Sequence, residues 1–377
     1  MSVNENSDIQ YNKNFWAEDH CDLKKSPPTI EYTSRYHDKA DEFTYLGLNE
    51  NPNGPTNEMK QDLLAAAEQI NRYPDNHFTE LSHAVEKNTG VSPHEQIWGA
   101  GASDLIQRVV TTNFREGLNI ISPAPTFWGY ERVYNIINAD VTRVILKPDG
   151  HTDVDAMIDA IAPNTGVMTF STPANPSGLA VPEADIIKFA TDTPDHILLL
   201  VDEVYVEYAA FDGATDMVAL LRKYRPNGKW LILRSFSKAY AMAGARIGYG
   251  LASDQDLAAR LENDTINFTV SSLAFAAALP AYLDNQRLTK ILSENKQQRV
   301  KFEADLQSLG LEYLQPSANF ISVKMPREAS YYIEKLFNNK IVCAGWNDPN
   351  FPNYLRVALT NDEERIKFIS ALKLLLA

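Results

Sequence analysis

Cysteine and positive charge are both scarce in this sequence, and the two shortages exclude several classes of protein. The 377 residues include two cysteines, Cys21 and Cys343, too few for a disulfide framework or a thiolate metal cage. Lysine and arginine together number 35 against 49 acidic residues, which gives a formal net charge of −14 and a pI of about 5.0. That sign is wrong for a nucleic acid or an anionic membrane surface. A small anionic ligand stays compatible, because a local basic pocket can exist in an acidic protein.

Long hydrophobic runs are absent as well. The most apolar stretch, Leu273–Leu283, is short and contains Pro280, so we do not expect it to span a bilayer. Residues 2–13 are polar and lack the apolar core of a signal peptide. We therefore expect a cytoplasmic protein with no membrane or nucleic-acid partner.

The pattern of apolar runs predicts the fold class. The chain is too long for one small core, so two domains are expected. Short apolar runs at 119–121, 167–170, 197–201 and 230–233 alternate with segments of helical periodicity. This alternation favours an α/β domain with a mainly parallel sheet covered by helices. After about residue 255 the pattern changes to long helices and few strands, which indicates a smaller α+β domain.

Polar residues follow three of these predicted strands. Asn175 lies in a turn after the strand at 167–170, Asp202 and Tyr205 follow the next strand, and Ser235 follows the strand at 230–233. In parallel sheets, ligands bind outside the carboxyl ends of the strands. We therefore expect these side chains to converge on one site.

The stretch Ser235–Tyr249 carries the strongest chemical signal. Lys238 is surrounded by small residues, and burial there would lower its pKa and favour a neutral, nucleophilic amine. Ser235, Ser237 and Arg246 are residue types that hold a phosphate. A nucleophilic lysine beside a phosphate site favours pyridoxal phosphate (PLP) as cofactor. The alternative is a solvated lysine at the start of a helix with a structural arginine.

A second candidate phosphate site is the turn at 99–104, where Gly101, Ala102 and Ser103 open a predicted helix. Such a turn presents free backbone N–H groups, which suit a phosphate. Its glycine spacing matches neither the dinucleotide-binding nor the P-loop pattern. Turns of this kind also occur where a helix merely packs against a sheet.

Taken together, the motifs resemble those of fold-type I PLP-dependent aminotransferases of the aspartate aminotransferase superfamily, most closely the histidinol-phosphate aminotransferase branch. The resemblance runs from about Leu46 to the C-terminus. The superfamily motifs are Asn175–Gly178, Asp202–Tyr205, Ser235–Lys238 and Gly244–Tyr249, and the branch motifs are Asn49–Pro55, Arg72–Asp75, Pro125–Phe127 and Ala318–Phe320.

The resemblance implies a fold and a domain division. The fold is a three-layer large domain around a mainly parallel sheet, with a smaller α+β domain. We place an N-terminal arm at 1–48, contributing to the small domain or a dimer interface, the large domain at 49–260 and the small domain at 261–377.

The resemblance also implies roles at the cofactor ring. Lys238 forms the Schiff base and moves the substrate proton, and Asp202 pairs with the pyridine nitrogen. Tyr205 and Asn175 hydrogen-bond the phenolic oxygen of the ring, and Phe127 stacks on its face. Without the family, Asp202 would be a helix cap, Asn175 a turn former, and Tyr205 and Phe127 packing residues.

Further implied roles concern the cofactor phosphate and the subunits. The phosphate is held by Ser235, Ser237, Arg246 and the backbone of 101–103. Tyr73 reaches the phosphate of a neighbouring subunit, which implies a homodimer with its sites at the interface. A structural tyrosine before Pro74 is the alternative for Tyr73.

Substrate residues follow from the same resemblance. Arg356 grips the amino-acid carboxylate, with Asn175 beside it, and Tyr32 matches a substrate-contacting tyrosine by spacing. The alternative for Arg356 is a surface ion pair. One departure concerns a basic residue that many branch members carry shortly before this arginine, since the sequence has Ala344 there. Its loss weakens the recognition of a substrate phosphate.

The implied reaction is amino transfer between an amino acid or amino-phosphate, histidinol-phosphate-like or aromatic, and a 2-oxo acid. The same residues would also serve a decarboxylase resembling threonine-phosphate decarboxylase, or an oxidase or cyclase acting on an amino acid. A regulatory domain that senses the cofactor is the alternative from another class, and the absence of a helix-turn-helix or basic arm argues against it.

Overall fold

The computed structural model describes residues 42–74, 78–264 and 266–376. The strands are β1 (Thr44–Tyr45), β2 (Gln96–Gly99), β3 (Asn119–Ala124), β4 (Val141–Ile145), β5 (Thr165–Ser171), β6 (Leu198–Asp202), β7 (Trp230–Ser235), β8 (Gly248–Ala252), β9 (Glu312–Tyr313), β10 (Phe320–Lys324), β11 (Ile341–Val342), β12 (Ala344–Gly345) and β13 (Tyr354–Ala358). The helices are α1 (Asn57–Ala67), α2 (Thr79–Thr89), α3 (Ala102–Arg115), α4 (Trp128–Ile137), α5 (Val154–Asp159), α6 (Glu183–Asp192), α7 (Val206–Phe211), α8 (Met217–Tyr224), α9 (Gln255–Asn263), α10 (Ser272–Leu283), α11 (Asn285–Ser308), α12 (Ala329–Asn338) and α13 (Asp362–Leu376).

A seven-stranded sheet in the order β2-β8-β7-β6-β5-β3-β4 forms the centre of the large unit. The neighbours from β7 to β4 pair in parallel, and β8 is antiparallel to both β7 and β2. Strands buried on both faces read as continuous apolar runs, as β6 and β7 do. The prediction of a mainly parallel α/β sheet is confirmed.

Helices cover both faces of this sheet and complete three layers. Along β6, Leu199 and Val201 pack into one core, whereas Leu200 packs into the core of the opposite face. This alternation follows from the period of two in a strand. The first core contains side chains of α2, α6, α8 and α10, and the second contains those of α3, α4 and α9.

The small unit is built on the antiparallel sheet β12-β13-β10-β9 with α11, α12 and α13 around it. Leu46 belongs to its core, and β1 pairs in parallel with β11. The apolar run at 341–346 is divided at Cys343, because β11 pairs with β1 whereas β12 pairs with β13. Among the described residues, no helix is both long and apolar enough to cross a membrane.

Helix α10 packs with the large sheet. Ala274, Ala278 and Tyr282 lie in the same core as Phe170 of β5. The sequence placed this helix in the small domain, with the boundary after residue 260. We therefore propose a boundary near Asp284, between α10 and α11.

Candidate active site

A cavity of about 400 Å³ lies at the carboxyl ends of the central strands, where the small unit faces the sheet. Eleven of the predicted site residues line it: Ala102, Ser103, Phe127, Asn175, Asp202, Tyr205, Ser235, Ser237, Lys238, Arg246 and Arg356. Gly101 does not line the cavity itself, but it lies between Ala102 and the backbone carbonyl of Ala100 that Arg246 binds. Tyr73 does not line the cavity of its own chain, and Tyr32 lies outside the described residues.

Strand ends bring these residues together. Asp202 is the last residue of β6, Ser235 is the last of β7, and Asn175 lies in the turn after β5. Because the three strands run parallel, their carboxyl ends meet at one edge of the sheet. Arg356 reaches the same cavity from β13 of the small sheet.

Lys238 points its amine at the loop before α1. Its Nζ donates to the backbone carbonyls of Leu48, at 2.9 Å, and Asn49, at 3.2 Å. Desolvation, with the nearby positive charge of Arg356, lowers the pKa of Lys238 to about 8. With this pKa about a tenth of the amine is neutral and nucleophilic at pH 7, far more than for an ordinary lysine.

Asp202 is a buried carboxylate next to Lys238. Its Oδ1 accepts a hydrogen bond from the backbone N–H of Val204 at 3.1 Å. Burial, with a smaller contribution from the neighbouring Glu203, raises the pKa of Asp202 to about 6, although the Val204 N–H and the buried Tyr130 hydroxyl act in the opposite direction. A protonated ring nitrogen would supply the missing countercharge for this carboxylate. Tyr130 gave no signal in the sequence beyond that of an apolar helix face.

The phosphate-type residues gather at the start of α3. The Ser235 hydroxyl donates to the Ser237 hydroxyl at 2.9 Å, and Arg246 lies 3.5 Å from the same oxygen. Gly101 has a φ of +84°, and a Cβ there would come within 2.5 Å of the Arg246 guanidinium. The first amides of a helix lack intrahelical partners, so they add donors to this site. A guanidinium, two hydroxyls and a helix N-terminus fit the phosphate of PLP.

The loop before α1 has a role at the site that its sequence did not reveal. Asn49 takes a left-handed backbone, with φ of +53°, and its side chain donates to the Tyr205 hydroxyl at 3.1 Å. The Asn319 amide holds the Asn49 carbonyl at 2.9 Å. Asn51 donates to the Lys238 carbonyl at 3.1 Å. The dense turn formers predicted a loop, and the structure places that loop over Lys238.

Arg356 forms the wall of the cavity opposite the sheet. Its guanidinium donates to the Asn175 side-chain oxygen at 2.5 Å and to the Gly47 carbonyl. The residue is buried, and desolvation lowers its pKa. A buried guanidinium facing a cavity suits a carboxylate, which it can bind through two parallel hydrogen bonds. Ala344 lies directly opposite Arg356 in the β12–β13 pair.

A buried lysine with a lowered pKa, beside a buried carboxylate and a set of donors that fit a phosphate, is the combination expected of the PLP-dependent transferase class. A model of the family "Aminotransferase class I and II" matches residues 41–372. The chain belongs to this family, and it is a PLP-dependent aminotransferase.

Curated relatives and solved structures agree with this assignment. The chain is 33% identical over 332 residues to histidinol-phosphate aminotransferase 1 of Mesorhizobium japonicum, covering 88% of this chain and 90% of the relative. It is 30% identical to the histidinol-phosphate aminotransferase of Bacillus subtilis, covering 88% and 91%.

Two solved structures share the fold. One is the histidinol-phosphate aminotransferase of Sinorhizobium meliloti in complex with pyridoxal-5'-phosphate, with a TM-score of 0.80 at 24% identity over 88% of this chain and 90% of that one. The other is the aspartate aminotransferase of Thermus thermophilus with maleate, with a TM-score of 0.77 at 18% identity over 92% and 95%. The predicted fold type and cofactor are confirmed.

Proposed function

We propose that Lys238 catalyses amino transfer from an amino acid whose carboxylate is held by Arg356 and Asn175, with a 2-oxo acid as acceptor. The observation that carries this proposal is the shared cavity. One of its walls presents the lysine amine, and another presents a buried guanidinium joined to the Asn175 side chain.

Three residues of this chain have separate roles in the proposed reaction. When bound, PLP supplies an aldehyde for the amino group and a ring that delocalises carbanion charge. Lys238 takes the proton from the substrate α-carbon as general base and later returns a proton as general acid, and a pKa of about 8 suits both steps. Asp202 would hold the ring nitrogen in its protonated form. Tyr205, oriented by Asn49, would contact the phenolic oxygen of the ring.

The wall of the cavity that Arg356 and Asn175 form is called the substrate wall here, and it favours a donor with one carboxylate. The names of the relatives suggest histidinol phosphate, a donor with a phosphate of higher charge. Ala344 brings a methyl group to the position opposite Arg356, where many members of the branch have a basic residue. A single guanidinium matches a carboxylate better than it matches a phosphate dianion. We therefore propose an amino acid as the preferred donor.

A donor panel tests this preference. Amino acids and phosphorylated amines, histidinol phosphate included, are mixed with the holoenzyme, and conversion of the cofactor to its aminated form is followed by absorbance. We expect amino acids to convert the wild type faster than phosphorylated amines do.

Ala344→Arg should raise kcat/KM for phosphorylated amines about tenfold or more, the effect of one charged hydrogen bond. Faster conversion of wild type by histidinol phosphate than by any amino acid contradicts the proposal. Release of carbon dioxide or uptake of oxygen would instead indicate a decarboxylase or an oxidase.

The proposal includes a homodimer. Exposed apolar side chains on two segments support it, among them Leu64 (71% exposed), Tyr73 (82%) and Ile266 (81%). Tyr73 stacks on Phe268 with ring centroids 4.6 Å apart, which joins the two segments into one surface. An exposed apolar surface of this kind is typical of a protein–protein interface. Tyr73 would then reach the cofactor phosphate of the partner.

A further inference from the structure

A chain of two buried hydrogen bonds links the small unit to the turn that carries Asn175. The Trp346 indole N–H donates to the Ser322 hydroxyl at 2.9 Å, and that hydroxyl donates to the Pro176 carbonyl at 2.6 Å. All three residues are buried. A hydroxyl that accepts one hydrogen bond and donates another is polarised, so each bond strengthens the other.

The position of Ser322 relates this chain to the candidate carboxylate site. Ser322 lies directly opposite Arg356 in the β10–β13 pair. Two paired residues of the small sheet therefore hold two consecutive residues of the large unit, since Ser322 binds Pro176 and Arg356 binds Asn175. Both bonds therefore connect the Asn175–Pro176 turn to the same cross-strand pair of the small sheet.

Aromatic packing fixes the direction of the indole N–H. Trp346 stacks on Tyr354 with ring centroids 4.4 Å apart at 22°, and Phe351 lies 5.1 Å from it. Leu146 of the large unit belongs to the same apolar cluster. The indole therefore has little freedom to rotate away from Ser322. Neither Trp346 nor Ser322 lines the cavity, so neither can touch a substrate there.

We propose that Trp346 and Ser322 are positioning residues for substrate binding. They hold the Asn175–Pro176 turn against β10, so that Asn175 and Arg356 face one carboxylate in the free enzyme. This inference rests on the proposed function of Arg356 and Asn175 as carboxylate ligands.

The test uses the holoenzyme with Trp346→Phe, which removes the N–H and keeps an aromatic ring in the stack, and with Ser322→Ala. Steady-state kinetics give KM and kcat for an amino acid and a 2-oxo acid, and the cofactor absorbance reports binding of a competing monocarboxylate that lacks an amino group. The chain offers a matched control, because Trp98 donates to Ser82 at 3.1 Å in the core of the large unit. Trp98→Phe and Ser82→Ala remove the same kind of bond away from the cavity.

We expect Trp346→Phe to raise KM for both substrates and the dissociation constant of the competitor about three- to tenfold, the effect of one hydrogen bond, with kcat within twofold. In the Ser322→Ala background, Trp346→Phe should have a smaller effect, because the bond it removes is already lost. The control pair should leave KM unchanged. An unchanged KM and competitor affinity in both variants, or an equal rise in the controls, overturns the inference. A wild type without amino transfer overturns the proposed function instead, so the two failures are distinct.

Discussion

The Arg356 guanidinium donates to the Asn175 side-chain oxygen at 2.5 Å, and this bond joins the small unit to the large one at the substrate wall. Arg356→Lys keeps the charge but loses the planar fork that binds a carboxylate through two bonds. We expect KM for the amino donor and for the 2-oxo acid to rise together, with kcat/KM lower by about 30- to 100-fold.

Arg143 gives the matched control for that substitution. It pairs with Glu131 on the exposed surface, so Arg143→Lys should leave the kinetics unchanged. The measurement is the steady-state KM and kcat of both variants for the amino donor and for the 2-oxo acid. A rise in KM for only one of the two substrates would show that Arg356 does not serve a shared carboxylate.

The proposed dimer predicts that a charge on its apolar surface separates the subunits. Leu64→Asp should convert a dimer to a monomer in light scattering and weaken cofactor binding, because Tyr73 of the partner would be lost from the site. Ile136 is similarly exposed on α4, away from the two segments, so Ile136→Asp is the control and should remain dimeric. A wild type that is monomeric at micromolar concentration rules out this part of the proposal.

The lowered pKa of Lys238 predicts how attachment of the cofactor depends on pH. The neutral amine is the nucleophile, and its fraction rises as pH rises through about 8. The rate at which apoprotein takes up PLP, followed by visible absorbance, should therefore increase between pH 7 and 9 and level off above. An increase that continues to pH 10 or beyond would mean that Lys238 has an ordinary lysine pKa.

Glu207 predicts a pH dependence of stability. Desolvation raises the pKa of Glu207 to about 7, and one of its oxygens is buried without a hydrogen-bond partner among the described residues. The folded state therefore binds more protons than the unfolded state between about pH 4.5 and 7, and stability falls as pH rises through that range.

Glu207→Gln removes this dependence. The free energy of unfolding of this variant should match that of the wild type near pH 4.5. At pH 8 it should exceed the wild-type value by at most roughly 3 kcal/mol, as expected from the size of the shift in the Glu207 pKa. Denaturant unfolding at the two pH values measures the difference. Glu334→Gln on the exposed face of α12 is the control. An equal difference at both pH values would refute the assignment.

Local sequence patterns were sufficient to predict those site residues that directly follow a strand. Asp202 and Ser235 follow buried apolar runs, so the geometry of a parallel sheet was enough to bring them together. The role of the Gly47–Asn51 loop could not be predicted in this way. Its partners lie between 156 and 309 residues away in the sequence, as in the bonds of Asn49 to Tyr205 and of Arg356 to Gly47.

Helix α10 shows a second limit of sequence patterns. Its residues are apolar almost all round, so no stripe indicates which core they join. The structure packs them under the large sheet, beyond the boundary that the change in pattern near residue 255 had suggested. The Trp346–Ser322 bond is a similar case, because a tryptophan after an apolar strand reads as a packing residue.

Replacement of the candidate catalytic lysine tests the central claim most directly. Lys238→Ala is compared with wild type and with Lys290→Ala, a lysine on the exposed face of α11. We predict that Lys238→Ala loses the visible absorbance of the lysine-bound cofactor and all measurable amino transfer, while it still binds PLP, and that Lys290→Ala keeps both properties. Near-normal amino transfer by Lys238→Ala would contradict the account.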